Sequence, residues 1–314
     1  MNAAAQLRGI SKRYGDFAAL DDVGFEIPEN TITGLLGRNG AGKTTAMRIL
    51  TGQEFATSGE VRVFGEAPHE NHRVLSQVSF IKENQKYPDS FKVQHALRAA
   101  RNMHPNWDEH YARSLVQDFQ LPTSRKINKL SRGMFSALGA IIGLASRAPL
   151  TLFDEPYLGL DAASRQLFYD RLLADYAEHP RAVLLSTHLI DEASELIERV
   201  VVIDGGRIRI DEDAETLRGS AVSVSGPAAE VDEFTASRER LHREELGNVA
   251  RATVRGSFDA SERGLAESRG LRFEPVPLQE LVVRTTTRPE AQERNRDGGA
   301  DRTSTGTTSK EHSP

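Results

Sequence analysis

One nine-residue stretch constrains this chain more than any other. Gly37, Arg38, Asn39, Gly40, Ala41, Gly42, Lys43, Thr44 and Thr45 read GRNGAGKTT and fit the pattern GxxxxGK[ST]. It follows an apolar run, Ile32 to Leu36, and precedes a helix-like stretch from Ala46 to Leu50. Strand, glycine-rich loop and helix in that order make a phosphate-binding loop, because Gly37, Gly40 and Gly42 let backbone N–H groups curl round an anion and Lys43 adds a positive charge. The helix that starts near Lys43 turns its positive dipole end toward the same anion. Thr44 supplies a hydroxyl for Mg²⁺, a cation that prefers oxygen ligands and takes others from the nucleotide itself. The chain is therefore expected to bind a nucleoside triphosphate, and the competing reading, a glycine-rich turn with no ligand, leaves Lys43 and the flanking strand and helix unexplained.

Phosphate loops serve many functions, and a second motif narrows them. Leu150 to Pro156 reads LTLFDEP: an apolar strand delivering Asp154 and Glu155 at its C-terminal end, where ligands of parallel α/β sheets bind. Asp154 suits the metal, through water, and Glu155 can accept a hydrogen bond from a water and orient it for in-line attack on the γ-phosphate. A plain Asp-Glu helix cap is the alternative, but a phosphate loop about 110 residues upstream calls for a metal-binding acid.

Composition bounds the rest. With 314 residues, 38% of them hydrophobic, there is material for one large α/β domain and an appendage. No stretch reaches the ~20 apolar residues of a membrane span, and no signal-like start is visible, so a cytoplasmic location is expected. The absence of cysteine excludes disulfides, thiol catalysis and zinc–thiolate sites. The nine histidines show no metal-ligand spacing, and a net charge of −5 offers no electrostatic case for nucleic acid, although it leaves room for a local basic patch.

Short apolar runs alternate with helical periods. Gln6 to Ile10, Phe25 to Ile27, Gly59 to Phe64, Val78 to Ile81, Leu150 to Phe153, Ala182 to Ser186 and Val200 to Ile203 read as strands, and a hairpin turn at Asp204-Gly205-Gly206 leads into Arg207 to Ile210. Val93 to Arg101, Trp107 to Phe119, Ala162 to Tyr176 and Ile190 to Ile197 read as helices. The pattern predicts a mainly parallel sheet covered on both faces. From about Arg218 the texture changes to a small β/α appendage, with strands at Ala221 to Ser225, Val249 to Val254 and Leu271 to Phe273 and helices at Ala229 to Ser237 and Asp259 to Ser268. After Thr287 the chain lacks any apolar period and is expected to be a disordered tail.

Over Leu7 to Leu217 the chain resembles the ATP-binding subunit of an ATP-binding cassette (ABC) transporter. The family signature LSGGQ corresponds to Leu130 to Met134, here LSRGM; the D-loop to Tyr157 to Asp161, YLGLD; and the switch histidine to His188 after VLLST. Tyr14, in KRYG, falls where the family stacks an aromatic ring on adenine. The resemblance implies a P-loop cassette over 1–217, with an antiparallel β subdomain and a helical subdomain at about 84–146, and a C-terminal β/α extension over 218–286. It further implies two cassettes packed head to tail around two ATP molecules with Mg²⁺. Each ATP would be held by one subunit's phosphate loop and the other's signature, and opening and closing would drive a separate integral-membrane permease from the inner membrane face. Lys43, Glu155 and His188 are then the catalytic groups; Ser131, Arg132, Gly133 and Met134 form the signature grip, the alternative being an ordinary helix start with Ser131 as N-cap; and Asp161 links the two sites. Arg132 and Met134 depart from LSGGQ in a manner similar to ABC-2 type exporters; His104 to Asp108 resembles the helical subdomain of those ATPases, and PLQELVVR, Pro277 to Arg284, more weakly the closing helix of their C-terminal extensions. At the Q-loop position stands Glu83, with Gln85 two residues on; a glutamate still offers Mg²⁺ an oxygen but adds negative charge. The reading from a different class is a regulatory cassette that binds ATP and signals to a membrane or cell-envelope partner with little hydrolysis.

Overall fold

The computed structural model describes residues 2–286; the tail expectation after Thr287 lies outside the described residues. Its centre is a six-stranded sheet in the order β5 (Val78–Ile81), β6 (Leu150–Asp154), β7 (Ala182–Thr187), β3 (Ile32–Leu36), β8 (Arg199–Asp204) and β9 (Arg207–Asp213). The first five are mutually parallel and β9 closes the edge antiparallel to β8. Every residue of β3, β6 and β7 is buried, which is why these strands read as continuous apolar runs and not as alternation.

Side-chain alternation divides these strands between two cores. Ile32, Leu36, Phe153, Val183 and Leu185 face one cluster, completed by α3 (Val93–Met103), α4 (Glu109–Asp118), α5 (Arg132–Ser146) and α6 (Ala162–Glu178). Phe153 and Phe168 meet there edge to face, centroids 5.3 Å apart and both fully buried, a contact worth about 1 kcal/mol beyond area burial. Leu35, Leu150, Leu152, Leu184, Val201 and Ile203 face the other cluster, covered by α1 (Lys43–Leu50) and by a three-stranded sheet of β2 (Phe17–Pro28), β1 (Ala3–Tyr14) and β4 (Ser58–Val63). A single helical turn, α2 (His72–Leu75), links β4 to β5.

Trp107, the chain's only tryptophan, anchors the helical region. It packs against the first core, and its Nε1–H donates to Glu109 at 3.1 Å. His104, just before it, is partly buried and its Nδ1 has no hydrogen-bond partner among the described residues, so burial lowers its pKa from the ordinary 6.5. The unfolded chain therefore binds this proton at higher pH than the folded one, and stability is lost as pH falls through that range. Melting temperature is expected to drop between about pH 7.5 and about pH 5.5, and to drop less in His104→Leu. Equal drops in the two proteins would remove His104 from the account.

After α7 (Ile190–Ala193) and α8 (Ala214–Gly219) the chain builds a separate antiparallel sheet in the order β11 (Arg240–Leu246), β12 (Val249–Arg255), β10 (Ala221–Pro227) and β13 (Arg272–Pro275). With α9 (Ala228–Thr235) and α10 (Ala260–Ser268) it has its own apolar core, centred on Val224, Val231, Ala252 and Val254. The last helix, α11 (Leu278–Thr286), does not belong to that core: Leu278, Leu281 and Val282 are buried in the first core with Ile190, Ala193 and Ile197. On its other side Glu280 accepts from Thr253 at 2.9 Å, so α11 joins the appendage to the body built on the six-stranded sheet.

Candidate nucleotide site

Strand register assembles the site. Asp154 at the end of β6 pairs with Ser186 of β7, and Leu36 at the end of β3 pairs with Thr187. Three strands therefore end side by side and deliver the phosphate loop, Asp154-Glu155 and His188 to one edge of the sheet. This is the C-terminal edge, where α/β sheets bind their ligands.

The loop's glycines are demanded by space as well as by backbone angle. Gly42 caps α1 with φ of 114°, and a Cβ there would lie 2.6 Å from Leu20 Cδ2. At Gly37 a Cβ would lie 2.2 Å from the Ile203 carbonyl oxygen. Lys43 is nearly buried; its Nζ donates to the carbonyls of Gly37 (2.7 Å) and Arg38 (3.3 Å) and lies 3.2 Å from Glu155 Oε1. The Thr44 hydroxyl donates to Asp154 Oδ2 at 2.7 Å, and Ser186 Oγ donates to Oδ1 at 2.7 Å. Ser186 Oγ also accepts the Glu155 N–H at 3.1 Å. That bond helps hold Glu155 at φ of 48°, a left-handed conformation that costs a non-glycine residue about 1 kcal/mol. Glu155 Oε2 lies 3.1 Å from His188 Nδ1, so one carboxylate bridges the loop lysine and the histidine.

A 490 Å³ cavity brings together Tyr14, Asn39, Gly40, Gly42, Lys43, Thr44, Thr45, Glu83, Arg132, Asp154 and Glu155, all singled out from sequence. Gly37, Arg38 and His188 line a neighbouring hollow, and Ala41 is buried beneath the loop. Tyr14 is half exposed, with its hydroxyl donating to Glu54 at 2.5 Å. Phe17, more exposed still, lines the same cavity and is an aromatic that sequence reasoning passed over. Ser131 caps α5, its Oγ accepting the Met134 N–H at 3.2 Å, and Gly133 packs so closely on the D-loop that a Cβ would lie 2.7 Å from Gly159 O. Asp161 caps α6 by accepting the Ser164 N–H at 2.8 Å, which holds its carboxyl below the usual range.

The two departures from the family motifs meet each other. Arg132 Nη2 lies 2.9 Å from Glu83 Oε1. Each charge compensates the other at the mouth of the cavity, and both are exposed enough that the pair contributes under about 1 kcal/mol. Gln85 lies deeper, with its Oε1 buried and without a hydrogen-bond partner among the described residues.

The donor set suits a hard divalent cation at Thr44 and Asp154, a hydroxyl and a carboxylate already in contact. Among the described residues no three or more His, Cys, Asp or Glu cluster to hold a metal alone, so such a cation would take its remaining ligands from phosphate and water.

A parallel sheet with a glycine-rich loop after β3, an acidic pair after β6 and an appended antiparallel sheet defines a P-loop nucleotide-binding cassette. The family profile described as ABC transporter matches residues 20–158. The chain is 27% identical over 235 residues to the ABC transporter ATP-binding protein YtrB of Bacillus subtilis, covering 75% of this chain and 80% of that one. It is 30% identical over 247 residues to the Nod factor export ATP-binding protein I of Cupriavidus metallidurans, covering 77% and 81%. Among solved structures it is similar to a dimeric ATP-binding cassette in a post-hydrolysis state bound to ADP and Pi, with a TM-score of 0.59 and 20% identity over 67% of this chain and 98% of that one. The chain belongs to the ABC transporter family, as an ATP-binding subunit. Among its described residues no helix is long and apolar enough to cross a membrane.

Proposed function

We propose that this subunit hydrolyses ATP to power a separate integral-membrane permease, as one half of a cassette dimer held at the inner face of the membrane. The observation that carries the reading is the convergence of Lys43, Thr44, Asp154 and Glu155 on one cavity at the C-terminal edge of the sheet. Lys43 and the loop amides would bind the β- and γ-phosphates. Phosphate drawn to Lys43 competes with Glu155 for the ammonium, and Glu155 so released orients the attacking water and accepts its proton as the γ-phosphoryl group leaves ADP. Thr44 and Asp154 would hold Mg²⁺, with Glu83 as a further oxygen ligand once it leaves Arg132; the metal, when bound, neutralises phosphate charge. Tyr14 would stack on adenine, and His188 would meet the γ-phosphate.

The cassette of this proposal spans 1–217 and the extension 218–286. Ser131, Arg132, Gly133 and Met134 would close on the nucleotide of a second cassette, with Asp161 linking the two sites. The dimeric structural neighbour supports that arrangement, and a relative named for export supports an exporter, for which the departures at Arg132 and Met134 suggest the ABC-2 type. The test is steady-state ATP hydrolysis by the wild type beside Glu155→Gln: equal turnover would sink the motor reading and leave a nucleotide-binding regulatory cassette.

A further inference from the structure

The histidine after β7 has two neighbours that ask opposite things of it. Nδ1 of His188 lies 3.1 Å from Glu155 Oε2 and 3.0 Å from the Tyr157 hydroxyl. A carboxylate only accepts, so the Glu155 contact requires a proton on Nδ1. The hydroxyl can donate, and its other bonds determine where its proton goes. Tyr157 is 2% exposed; its oxygen accepts the His188 backbone N–H at 3.0 Å and the Thr187 hydroxyl at 3.1 Å. Thr187 Oγ1 in turn accepts the Leu189 N–H at 2.9 Å, which orients it. With both lone pairs of the phenol engaged, its one proton is left for Nδ1 whenever that nitrogen is unprotonated. Burial pushes the Tyr157 pKa up to about 12, so the phenol keeps that proton. The two ring planes meet at 63° with centroids 5.6 Å apart, and this packing sets the imidazole plane.

We propose that Tyr157 is the positioning residue of the switch histidine: once Glu155 turns to its water, the Tyr157 hydroxyl holds Nδ1 as an acceptor, so that Nε2 carries the proton. In the resting contact Nδ1–H binds Glu155 and Nε2 is the acceptor. When the carboxylate leaves, Nδ1 gives its proton to solvent, Nε2 takes one from solvent, and the imidazole stays neutral; the side chain is 38% exposed, which permits the exchange. Nε2–H is then the donor that a γ-phosphate oxygen needs. Because Tyr157 also opens the D-loop, the same hydroxyl ties that loop to the histidine of its own chain. An acyclic side chain at this position could not combine the donor with the ring that fixes the plane.

The effect on turnover rests on the hydrolysis proposed above; the tautomer does not. The test uses the full chain labelled with ¹⁵N-histidine, with the His188 resonances assigned by their loss in His188→Ala. In wild type with Mg²⁺ and the non-hydrolysable analogue AMPPNP, Nδ1 is expected to be pyridine-like and Nε2 pyrrole-like. Tyr157→Phe keeps the ring and should raise the Nδ1-protonated share. Its kcat should fall about 3- to 10-fold, the worth of one hydrogen bond, with KM changed less than about 2-fold. On a His188→Ala background the same change should cost nothing more, since the hydroxyl acts through the ring it orients. A wild-type complex protonated on Nδ1, an unchanged tautomer in Tyr157→Phe, or an equal loss on the His188→Ala background overturns the proposal. If wild type hydrolyses no ATP, the ATPase reading fails by itself and the nitrogen spectra alone decide this one.

Discussion

Glu155→Gln is expected to lower ATP turnover by about 10²- to 10³-fold while leaving ATP binding intact. The substitution keeps the size of the side chain and one oxygen that can accept from Lys43, and removes the charge that accepts the water's proton. Its second consequence is larger in kind. If hydrolysis opens the sandwich, a cassette that binds Mg-ATP without hydrolysing it stays closed, and the mass in solution should rise from the 34.6 kDa of one chain to twice that on adding Mg-ATP. Light scattering on the same sample with and without nucleotide reads both states. A dimer that forms only with Mg-ATP would make LSRGM a working signature, Arg132 and Met134 included. A protein that binds ATP and stays monomeric would remove the homodimer and assign the second half of the site to a different cassette or to the permease.

How much of this was legible beforehand depends on whether residues that act together are also neighbours in the chain. The phosphate loop is contiguous, and so is Asp154-Glu155, so both were readable as candidate site residues from the chain alone. The parallel strands were readable because they are buried on both faces and carry unbroken apolar runs. β11, RLHREEL, was missed: four of its seven residues are charged, and its pairing with β12 sustains a strand that no local apolar pattern announces. The helix expected over Ile190 to Ile197 stops at Ala193, because Leu196 and Ile197 are drawn into the core as the chain turns toward β8. The helix expected from Trp107 starts at Glu109, because Asp108 accepts the Tyr111 N–H and acts as its cap. In the site, Ser186 was read only as part of a strand, and its bond to Asp154 follows from a register between strands 32 residues apart. Tyr157 was read as part of the D-loop and given no task. Glu83 and Arg132 were read as separate departures, 49 residues apart, and only the fold makes them one ion pair.

Asp175→Ala is expected to be the most destabilising single change on the side of the sheet opposite the nucleotide. Asp175, on α6, is nearly buried and holds two cations: Arg147 through Oδ1 at 2.9 Å and Arg181 through Oδ2 at 2.7 Å. Arg147 also reaches Asp108, the cap of α4, at 2.8 Å, and is itself the C-cap of α5 in a left-handed conformation. Four elements, α4, α5, α6 and the start of β7, thus meet at one carboxylate. Removing it leaves Arg181, 5% exposed, with only the His179 carbonyl at 3.1 Å among the described residues, and an uncompensated buried charge of this kind costs about 3–5 kcal/mol. Urea unfolding should record that loss, with Asp175→Asn losing less because it keeps one acceptor. A loss under about 1 kcal/mol, the level expected of the exposed Arg132–Glu83 pair, would mean that water reaches the cluster. The position bears on the proposed dimer because α5 begins at the proposed signature, with Ser131 as its cap. Its first turns are tied to the D-loop by the bond from Ser136 Oγ to the Leu158 carbonyl, and its last residue is tied to Asp175 through Arg147. A helix held at both ends can present Ser131 and Gly133 to a partner at a set angle. Loosening its far end should therefore weaken Mg-ATP-driven dimerisation of the Glu155→Gln protein more than it weakens ATP binding to one chain, and the same light-scattering titration would register the difference.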